Sequence, residues 1–315
     1  MAHRTVVQQD PISVARRRCL VQLAALPLLG AGFEGIAATL PLPKRRVPVS
    51  GEQLPVIGLG STKAVMQLGE PGAADALAAV LRALRAAGGT VVDTWSRDPA
   101  LDIKTGEVFQ RDGLLDDLFI ATKIDTDGRE AGIAQLEANE RAFGRASDLV
   151  QIFSLRDADI HWPTLVARKA EGKTRYIGVT VSSDSDHPAI MAFMRRERPD
   201  FIQVNYSVVE TAAESGVLPM AADLGVAVIV NRPFTNGEYF QRVRDRALPD
   251  WASAAGIKSW AQFSLTYVLA NPAITCVLTE TTNPAHLADN LVAAFLPSPD
   301  DELRRQMRDY IRQMG

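Results

Sequence analysis

Two charged residues at the ends of short β-branched runs could share a buried site and do chemistry there. Asp93 follows the valines of "VVDT", and Lys123 lies in "IATKI". A buried ammonium needs a carboxylate partner, and the attraction between the two groups keeps both of them charged. The sequence leaves two interpretations open: a catalytic pair, or a structural salt bridge at the strand ends.

The elements that must position this pair alternate between short β-branched runs and longer amphipathic stretches. One helical pattern is "AADALAAVLRALRAAGG" from Ala73, in which Gly88 and Gly89 supply a left-handed stop. Seven runs flanked by turn residues predict strands: "VVDT" from Val91, "LFIATKI" from Leu118, "LVQIFSL" from Leu149, "YIGVTV" from Tyr176, "FIQVNYS" from Phe201, "VAVIVN" from Val226 and "ITCVLT" from Ile274.

Repeated βα units imply parallel strands, because each helix must bring the chain back to start the next strand in the same direction. About eight units in a chain of this length predict an α/β fold of the closed (β/α)8 barrel type. The competitor, a doubly wound open sheet, would need a glycine-rich fingerprint, and "GLGST" from Gly58 lacks the required spacing.

In such a barrel the chemistry lies where the strands end. The residues at those ends are Asp93, Lys123, Phe153, Ser154, Thr180, Gln203, Asn231, Arg232 and the loop from Thr279.

Composition and charge exclude several classes of protein. The chain has 315 residues, of which 47% are hydrophobic and 23% charged, as is typical of a folded globular protein. The formal net charge is -3, and no basic stripe interleaved with aromatic residues follows the N-terminus. We therefore expect no nucleic-acid partner.

The N-terminal segment predicts export. Arg16–Arg18 directly precede an apolar stretch that starts at Cys19, and Ala37 and Ala38 offer a cleavage point. Paired arginines before such a stretch resemble a twin-arginine signal, which would place the protein in the periplasm. The stretch contains Pro27 and several glycines, so we expect no stable membrane span once the signal is cut. A basic arm with an amphipathic helix and an uncleaved anchor are the alternatives.

The predicted organisation is an export signal over residues 1–38, a polar linker over 39–53 and a barrel domain over 54–315. The chain has two cysteines, Cys19 in the predicted signal and Cys276 in a distant apolar run. Cleavage of the signal would leave no disulfide within the chain.

From about Leu54 onward, the chain resembles the aldo-keto reductase family. The matching pieces are "LPVIGLGS", "GGTVVDT", "LFIATKI", "GKTRYIGVT", "FIQVNYS", "VNRPF", "GIKSWAQFSL" and "TTNPAHLADN", in the family's order. The resemblance implies a barrel that binds NAD(P)H without a Rossmann fold and reduces aldehydes or ketones.

The resemblance also implies four working residues, of which this sequence retains two. Asp93 and Lys123 match the family's aspartate and lysine, but an alignment without gaps places Asp98 at the tyrosine position. No tyrosine lies between residues 93 and 123, and Phe153 stands where the family has a histidine. His161, His187 and His286 are not expected to substitute, and His161 is interpreted as a surface or cap residue at a helix start.

Several cofactor-binding positions are also implied by the resemblance. Gln203 and Thr180 match residues that hold the nicotinamide amide, while Asn231, followed by Arg232, replaces an aromatic residue that would stack on the ring. The remaining predicted cofactor residues are Thr281, Thr282 and Asn283 in the phosphate-binding loop and Asn290 on the adenine side, or on the helix surface.

The phosphate-binding loop contains one unfavourable charge. Glu280 opposes a pyrophosphate unless its side chain points to solvent, and the loop has no lysine or arginine for a 2′-phosphate. NAD and NADP are both left open, and no metal site is predicted.

We therefore expect a small-molecule-binding, NAD(P)-linked oxidoreductase barrel that is weak or inactive in standard carbonyl reduction. One alternative is an active NADPH-dependent reductase that uses Asp98, Lys123 or a water as proton donor. The other is a non-catalytic protein that binds a small molecule or a partner. Trp95 and Phe153 could fill the pocket, and the oligomeric state is left open.

Overall fold

Eight parallel strands close into a barrel in the computed structural model, which describes residues 40–314. The strands are β3 (Ile57–Gly60), β4 (Val91–Asp93), β5 (Phe119–Ile124), β6 (Leu149–Phe153), β7 (Tyr176–Thr180), β8 (Phe201–Asn205), β9 (Ala227–Asn231) and β10 (Cys276–Thr279). In order around the barrel, β10 pairs with β3, and the pairing continues through β4 to β9, which returns to β10. The predicted (β/α)8 barrel is therefore confirmed.

The first barrel strand, β3, was not among the seven predicted runs, because two of its four residues are glycines. Gly58 is required by close packing: a Cβ there would lie 2.9 Å from the carbonyl oxygen of Val91 on β4. Its small size weakens the local strand signal while permitting the contact between the two strands.

The helices surround the barrel, and the predicted helix from Ala73 is present. It buries Leu77, Leu81 and Leu84, and the chain turns at Gly88 with φ +77°. In chain order the helices are α1 (Thr62–Met66), α2 (Ala73–Ala86), α3 (Pro99–Gln110), α4 (Leu114–Asp117), α5 (Arg129–Phe143), α6 (Ala158–Ala170), α7 (His187–Glu197), α8 (Val217–Leu224), α9 (Glu238–Arg242), α10 (Asp250–Ala254), α11 (Trp260–Leu269), α12 (Pro284–Val292) and α13 (Asp301–Arg312). Within residues 40–314, none of them is long and apolar enough to cross a membrane.

A two-stranded hairpin occupies the stretch that the sequence suggested to be a linker. Its strands are β1 (Lys44–Arg46) and β2 (Gln53–Pro55). Val47 and Leu54 are buried in one apolar cluster with residues of the barrel strands. The linker interpretation is therefore wrong for residues 44–53, which are part of the folded barrel domain. The predicted export signal, residues 1–38 with Cys19, lies outside the described residues.

His161 corrects another expectation, because it is fully buried in α6 rather than a surface or cap residue. Its Nε2 lies 2.8 Å from the carbonyl oxygen of Thr126. A Cβ on Gly132 of α5 would lie 2.6 Å from the imidazole ring, so the ring fills the space that this glycine leaves. His161 therefore joins α6 to α5 and to the loop after β5, and it is not among the residues that line the cavity described below.

Asp102 is a buried carboxyl group on α3. Burial raises the pKa of Asp102 to about 7, and the nearby Asp98 carboxylate adds to the increase. An aspartate in an unfolded chain ionises near pH ~3.9. The folded chain binds this proton more tightly, so the contribution to stability is full below about pH 4 and is lost as the pH rises through about 7.

We therefore expect Asp102→Asn to stabilise the protein at pH 8 and to change little at pH 4. Removing the buried charge should raise the melting temperature at pH 8 by about 2–5 °C. Thermal unfolding followed by circular dichroism across this pH range measures the difference. A constant offset between the two proteins at every pH would contradict the assignment.

Candidate active site

The predicted charged pair forms between two neighbouring strands. Asp93 ends β4 and Lys123 lies on β5, and the Nζ atom of Lys123 donates to Oδ2 of Asp93 at 2.5 Å. The side chain of Lys123 is 5% exposed and that of Asp93 is 6% exposed, which makes this a buried ion pair. The fold therefore brings together the two residues that the sequence singled out.

Two glutamines hold the second oxygen of the same carboxylate. Oδ1 of Asp93 accepts hydrogen bonds from Nε2 of Gln151 on β6 at 3.1 Å and from Nε2 of Gln203 on β8 at 3.0 Å. Gln151 was not predicted, although it precedes Phe153 by two residues and so lies on the same face of β6. With three donors fixed on it, Asp93 can hold the ammonium of Lys123 in one place.

A cavity of about 560 Å³ opens above this network at the carboxyl ends of the strands. It brings together seven of the predicted site residues. They are Asp93, Lys123, Phe153, Thr180, Gln203, Asn231 and Arg232.

An aromatic pair forms one wall of the cavity. The rings of Trp95 and Phe153 are stacked with centroids 4.7 Å apart and planes inclined by 6°. The guanidinium carbon of Arg97 lies 5.0 Å from the Trp95 centroid and 5.9 Å from that of Phe153. Arg97 in turn donates from Nε to the fully buried carboxylate of Asp125 at 2.7 Å. We call Trp95 and Phe153 the aromatic wall.

Asp98, predicted to take the place of the missing tyrosine, does not reach the cavity. It is exposed and is the N-cap of α3, where its Oδ1 accepts a hydrogen bond from the backbone N–H of Ala100 at 2.9 Å. Pro99 favours a helix start at this point. The first backbone N–H of a helix has no partner within the helix, and proline has no N–H to leave unpaired there. The prediction that Asp98 donates a proton is therefore not supported by its position.

The cavity offers few groups that can release a proton. Among the described residues that line it there is no tyrosine, histidine or cysteine, and the only acidic side chains are Asp93 and Glu280. Lys123 is the one cationic acid in contact with the Asp93 network. Hydroxyl groups are supplied by Thr62, Thr180 and Ser182.

The side of the cavity formed by β7 to β9 can hold an amide group. Gln203 Oε1 accepts from Thr180 Oγ1 at 3.3 Å and from Asn231 Nδ2 at 3.3 Å. The Oδ1 atom of Asn231 is buried and has no partner among the described residues. This free acceptor fits the N–H of a carboxamide such as that of nicotinamide. Arg232 is paired with Glu210 at 2.8 Å.

A second cavity of about 430 Å³ shares Phe234, Phe240 and Glu280 with the first. Asn290 lines this cavity and is buried, so its interpretation as a helix-surface residue is wrong. Thr281 also lines the second cavity.

The other two residues predicted in the phosphate-binding loop are exposed and line neither cavity. Asn283 caps α12: its Oδ1 accepts a hydrogen bond from the backbone N–H of Ala285 at 2.9 Å.

Glu280 does not point freely to solvent. Its Oε1 accepts a hydrogen bond from the backbone N–H of Lys63 at 2.7 Å, and Oε2 lies 3.7 Å from the Lys63 ammonium. The contact joins the loop after β10 to α1, between the two cavities. An anionic ligand that spans both cavities would meet this carboxylate.

Within residues 40–314, no cluster of three or more His, Cys, Asp or Glu side chains is arranged to hold a metal ion.

Comparison with known proteins identifies related sequences and folds. A model of the aldo/keto reductase family matches residues 56–306. The NADH-specific methylglyoxal reductase of Escherichia coli (strain K12) is 25% identical over 174 residues, which cover 46% of this chain and 52% of that protein. The matched part thus spans about half the length of this relative.

Solved structures with the same fold include two bacterial reductases. The chain superposes on an aldo-keto reductase from Klebsiella pneumoniae in complex with NADPH with a TM-score of 0.71 and 21% identity, covering 83% of this chain and 92% of the other. An aldo-keto reductase from Bacillus halodurans in its holo form gives a TM-score of 0.67 at 17% identity, covering 86% and 96%. At these identities the likeness shows the fold.

Proposed function

The chain belongs to the aldo/keto reductase family, and on this premise we propose that it is an NAD(P)H-linked oxidoreductase with weak activity toward ordinary aldehydes and ketones. The observation that carries the proposal is the Asp93–Lys123 pair at the base of a cavity whose wall is Trp95 and Phe153. The pair and the amide-holding side chains are present, but the aromatic wall contains no proton donor to the reacting oxygen.

Each side chain has a defined task in this proposal. Gln203, Thr180 and Asn231 would hold the carboxamide of a nicotinamide, which when bound supplies a hydride. Asp93 keeps the Lys123 ammonium at the cavity base, where it can stabilise negative charge on a substrate oxygen. Trp95 and Phe153 exclude water from one side without offering a proton. Loss of a positioned general acid costs about 10²- to 10⁴-fold in rate.

Calorimetric titration of the protein with NADPH and with NADH tests whether it binds a nicotinamide cofactor, as this proposal requires. We expect saturable binding of at least one of them, because the cavity that contains the amide-holding residues shares Phe234, Phe240 and Glu280 with the second cavity. A lack of binding at ~1 mM, the upper end of ordinary enzyme affinities for small molecules, would contradict it. Both cofactors are compared because the E. coli relative is named for NADH whereas the Klebsiella structure holds NADPH.

The Glu280 carboxylate gives this titration a specific prediction. We expect Glu280→Gln to bind the dinucleotide about fivefold more tightly, because one negative charge near the pyrophosphate opposes binding by ~1 kcal/mol when screened by water. Glutamine keeps an acceptor for the Lys63 N–H. The control is Glu302→Gln, which removes the same charge from the exposed side of α13. Equal affinities for the parent and Glu280→Gln would show that Glu280 turns away from the ligand.

A further inference from the structure

The lining of the larger cavity indicates a narrower class of acceptor than aldehydes and ketones. We propose that the acceptor is a neutral, planar, conjugated dicarbonyl of the quinone type, held against the aromatic wall. This inference rests on the proposed function, because reduction of the acceptor requires a bound nicotinamide cofactor. Three independent observations support it: the ring-lined walls, the pairing of every charged lining group, and the kind of acid that the cavity lacks.

Two pairs of aromatic rings line the cavity. Trp95 and Phe153 are parallel at 4.7 Å, and Phe234 and Phe240 lie with their centroids 4.9 Å apart. Aromatic side chains bind flat conjugated rings by stacking or edge contacts. Stacking of this kind is tolerant of the ring's identity, as in the binding of nucleobases on aromatic side chains. A planar bicyclic ligand therefore suits this cavity.

The aromatic wall is held in place by charges that lie behind it. Arg97 contacts both rings and is bound to Asp125, whose side chain is fully buried. Asp125 is also bound by Arg156 at 3.1 Å, so two guanidinium groups fix the same carboxylate. The wall is thus positioned before a ligand arrives, which lowers the ordering cost of binding.

Each charged side chain that lines the cavity already has a partner of opposite charge. Lys123 pairs with Asp93, and Lys63 pairs with Glu280. Arg232 pairs with Glu210. No lining charge is left over among the described residues, so a neutral ligand fits better than a carboxylate or a phosphate ester.

Neutral carbonyl compounds differ in how much they need a proton donor during reduction, and the cavity lacks a strong one. Hydride addition to a ketone creates an alkoxide, which is about as basic as hydroxide, the conjugate base of water with its pKa of ~15.7. Reduction of a quinone creates a phenolate, and phenols ionise near ~10. A weakly basic phenolate needs little general-acid assistance, so only the quinone suits a site without a tyrosine or a histidine.

The step balances with groups that are named here. The quinone accepts a hydride, equivalent to two electrons and one proton, from NADPH or NADH, whose C–H bond breaks to leave NADP+ or NAD+. The resulting hydroquinone monoanion is stabilised beside the Lys123 ammonium and takes its second proton from that ammonium or from water. The product is the neutral hydroquinone.

A matched pair of ligands separates ring recognition from the need for an acid. 1,4-Naphthoquinone and 1-tetralone share a flat bicyclic skeleton, but reduction gives a naphtholate in the first case and an alkoxide in the second. Binding of each ligand to the protein alone is measured by calorimetry. Oxidation of NADPH is then followed with each ligand, and the rate without protein is subtracted. The variants are Trp95→Leu in the aromatic wall and Tyr310→Leu on α13 as a control outside the cavity.

We expect both ligands to bind to the parent and to Tyr310→Leu, and to bind about fivefold more weakly to Trp95→Leu. We also expect NADPH oxidation with the quinone to exceed that with the tetralone by at least about 100-fold. Equal rates with the two ligands, or no loss of binding in Trp95→Leu, would overturn the inference. If the cofactor titration shows that neither NADPH nor NADH binds, the proposed function itself falls. Cofactor binding without quinone binding overturns the acceptor alone.

Discussion

Glu214→Ala is expected to lower the melting temperature by roughly 6–15 °C, corresponding to about 3–5 kcal/mol in the free energy of unfolding. Oε1 of Glu214 accepts hydrogen bonds from the hydroxyls of Tyr206 and Tyr267 at 2.5 and 2.6 Å and from Arg304 at 2.6 Å. Arg308 contributes a further contact at 3.5 Å. The carboxylate therefore joins α13 to the barrel. Its removal leaves the partly buried guanidinium groups of Arg304 and Arg308 with only their longer contacts to the exposed carboxylates of Asp301 and Asp309.

The two phenols remain donors over the ordinary pH range. Burial raises the pKa of Tyr267 to about 12 and raises that of Tyr206 further. The effect of Glu214→Ala should therefore persist from neutral to mildly alkaline pH.

A control on the same helix separates this effect from a general loss of charge. Glu302 forms an ion pair with Arg305 in which both side chains are mostly exposed. Exposed pairs contribute about 0–1 kcal/mol, so Glu302→Ala should hardly change the melting temperature. Thermal and urea unfolding of both variants provide the comparison. Similar melting temperatures for the two would show that the Glu214 cluster does not hold the helix.

Lys123→Met is expected to slow reduction of any acceptor by at least about 100-fold, because it removes the positive charge that stabilises the developing negative charge on the substrate oxygen. The methionine has a similar length and no charge, so it removes the ammonium that Asp93 holds at the cavity base. The same change should destabilise the protein by about 3–5 kcal/mol, because it leaves the buried Asp93 carboxylate without its cation.

The double variant Asp93→Asn/Lys123→Met distinguishes the catalytic from the structural interpretation of the pair. Removing both charges should recover much of the lost stability, since neutral buried groups of similar size cost less than one unpaired charge. Activity should stay at the low level of Lys123→Met in this more stable double variant if Lys123 acts on the substrate. Full activity in it would assign the pair to structure alone.

The fold could be predicted from sequence because its signal is repeated along the chain. Parallel barrel strands are buried on both faces and appear as β-branched runs, and seven of the eight are visible in this way. The eighth, β3, escapes because Gly58 is selected by contact with β4 rather than by strand propensity. The hairpin of β1 and β2 also escapes, since polar residues such as Glu52 and Arg45 hide the burial of Val47 and Leu54.

Those residues of the candidate site that lie at or near the end of a barrel strand could be predicted from sequence, because their position along the strand determines that they face the cavity. Asp93, Lys123 and Gln203 follow that rule and meet at 2.5 and 3.0 Å. The position of Asp98 could not be predicted in this way. An alignment without gaps places it at the tyrosine position, but the helix that begins at Pro99 makes Asp98 an N-cap residue instead. Glu280 and Lys63 are 217 residues apart, and only the folded chain shows their contact.

The closure of the barrel has a consequence for the order in which the chain can fold. β3 pairs with β10, placing Ile57 opposite Val277, and Arg45 donates to the backbone carbonyls of Asn271 and Ile274. These contacts join segments more than 200 residues apart. During synthesis on the ribosome, the strands from β3 to β9 can pair as they emerge, but the edge of β3 must wait until residue 279 has left the exit tunnel. Until then β3 and β9 are open edges. The step that completes the cavity therefore also removes the exposed strands that are most prone to association with other chains.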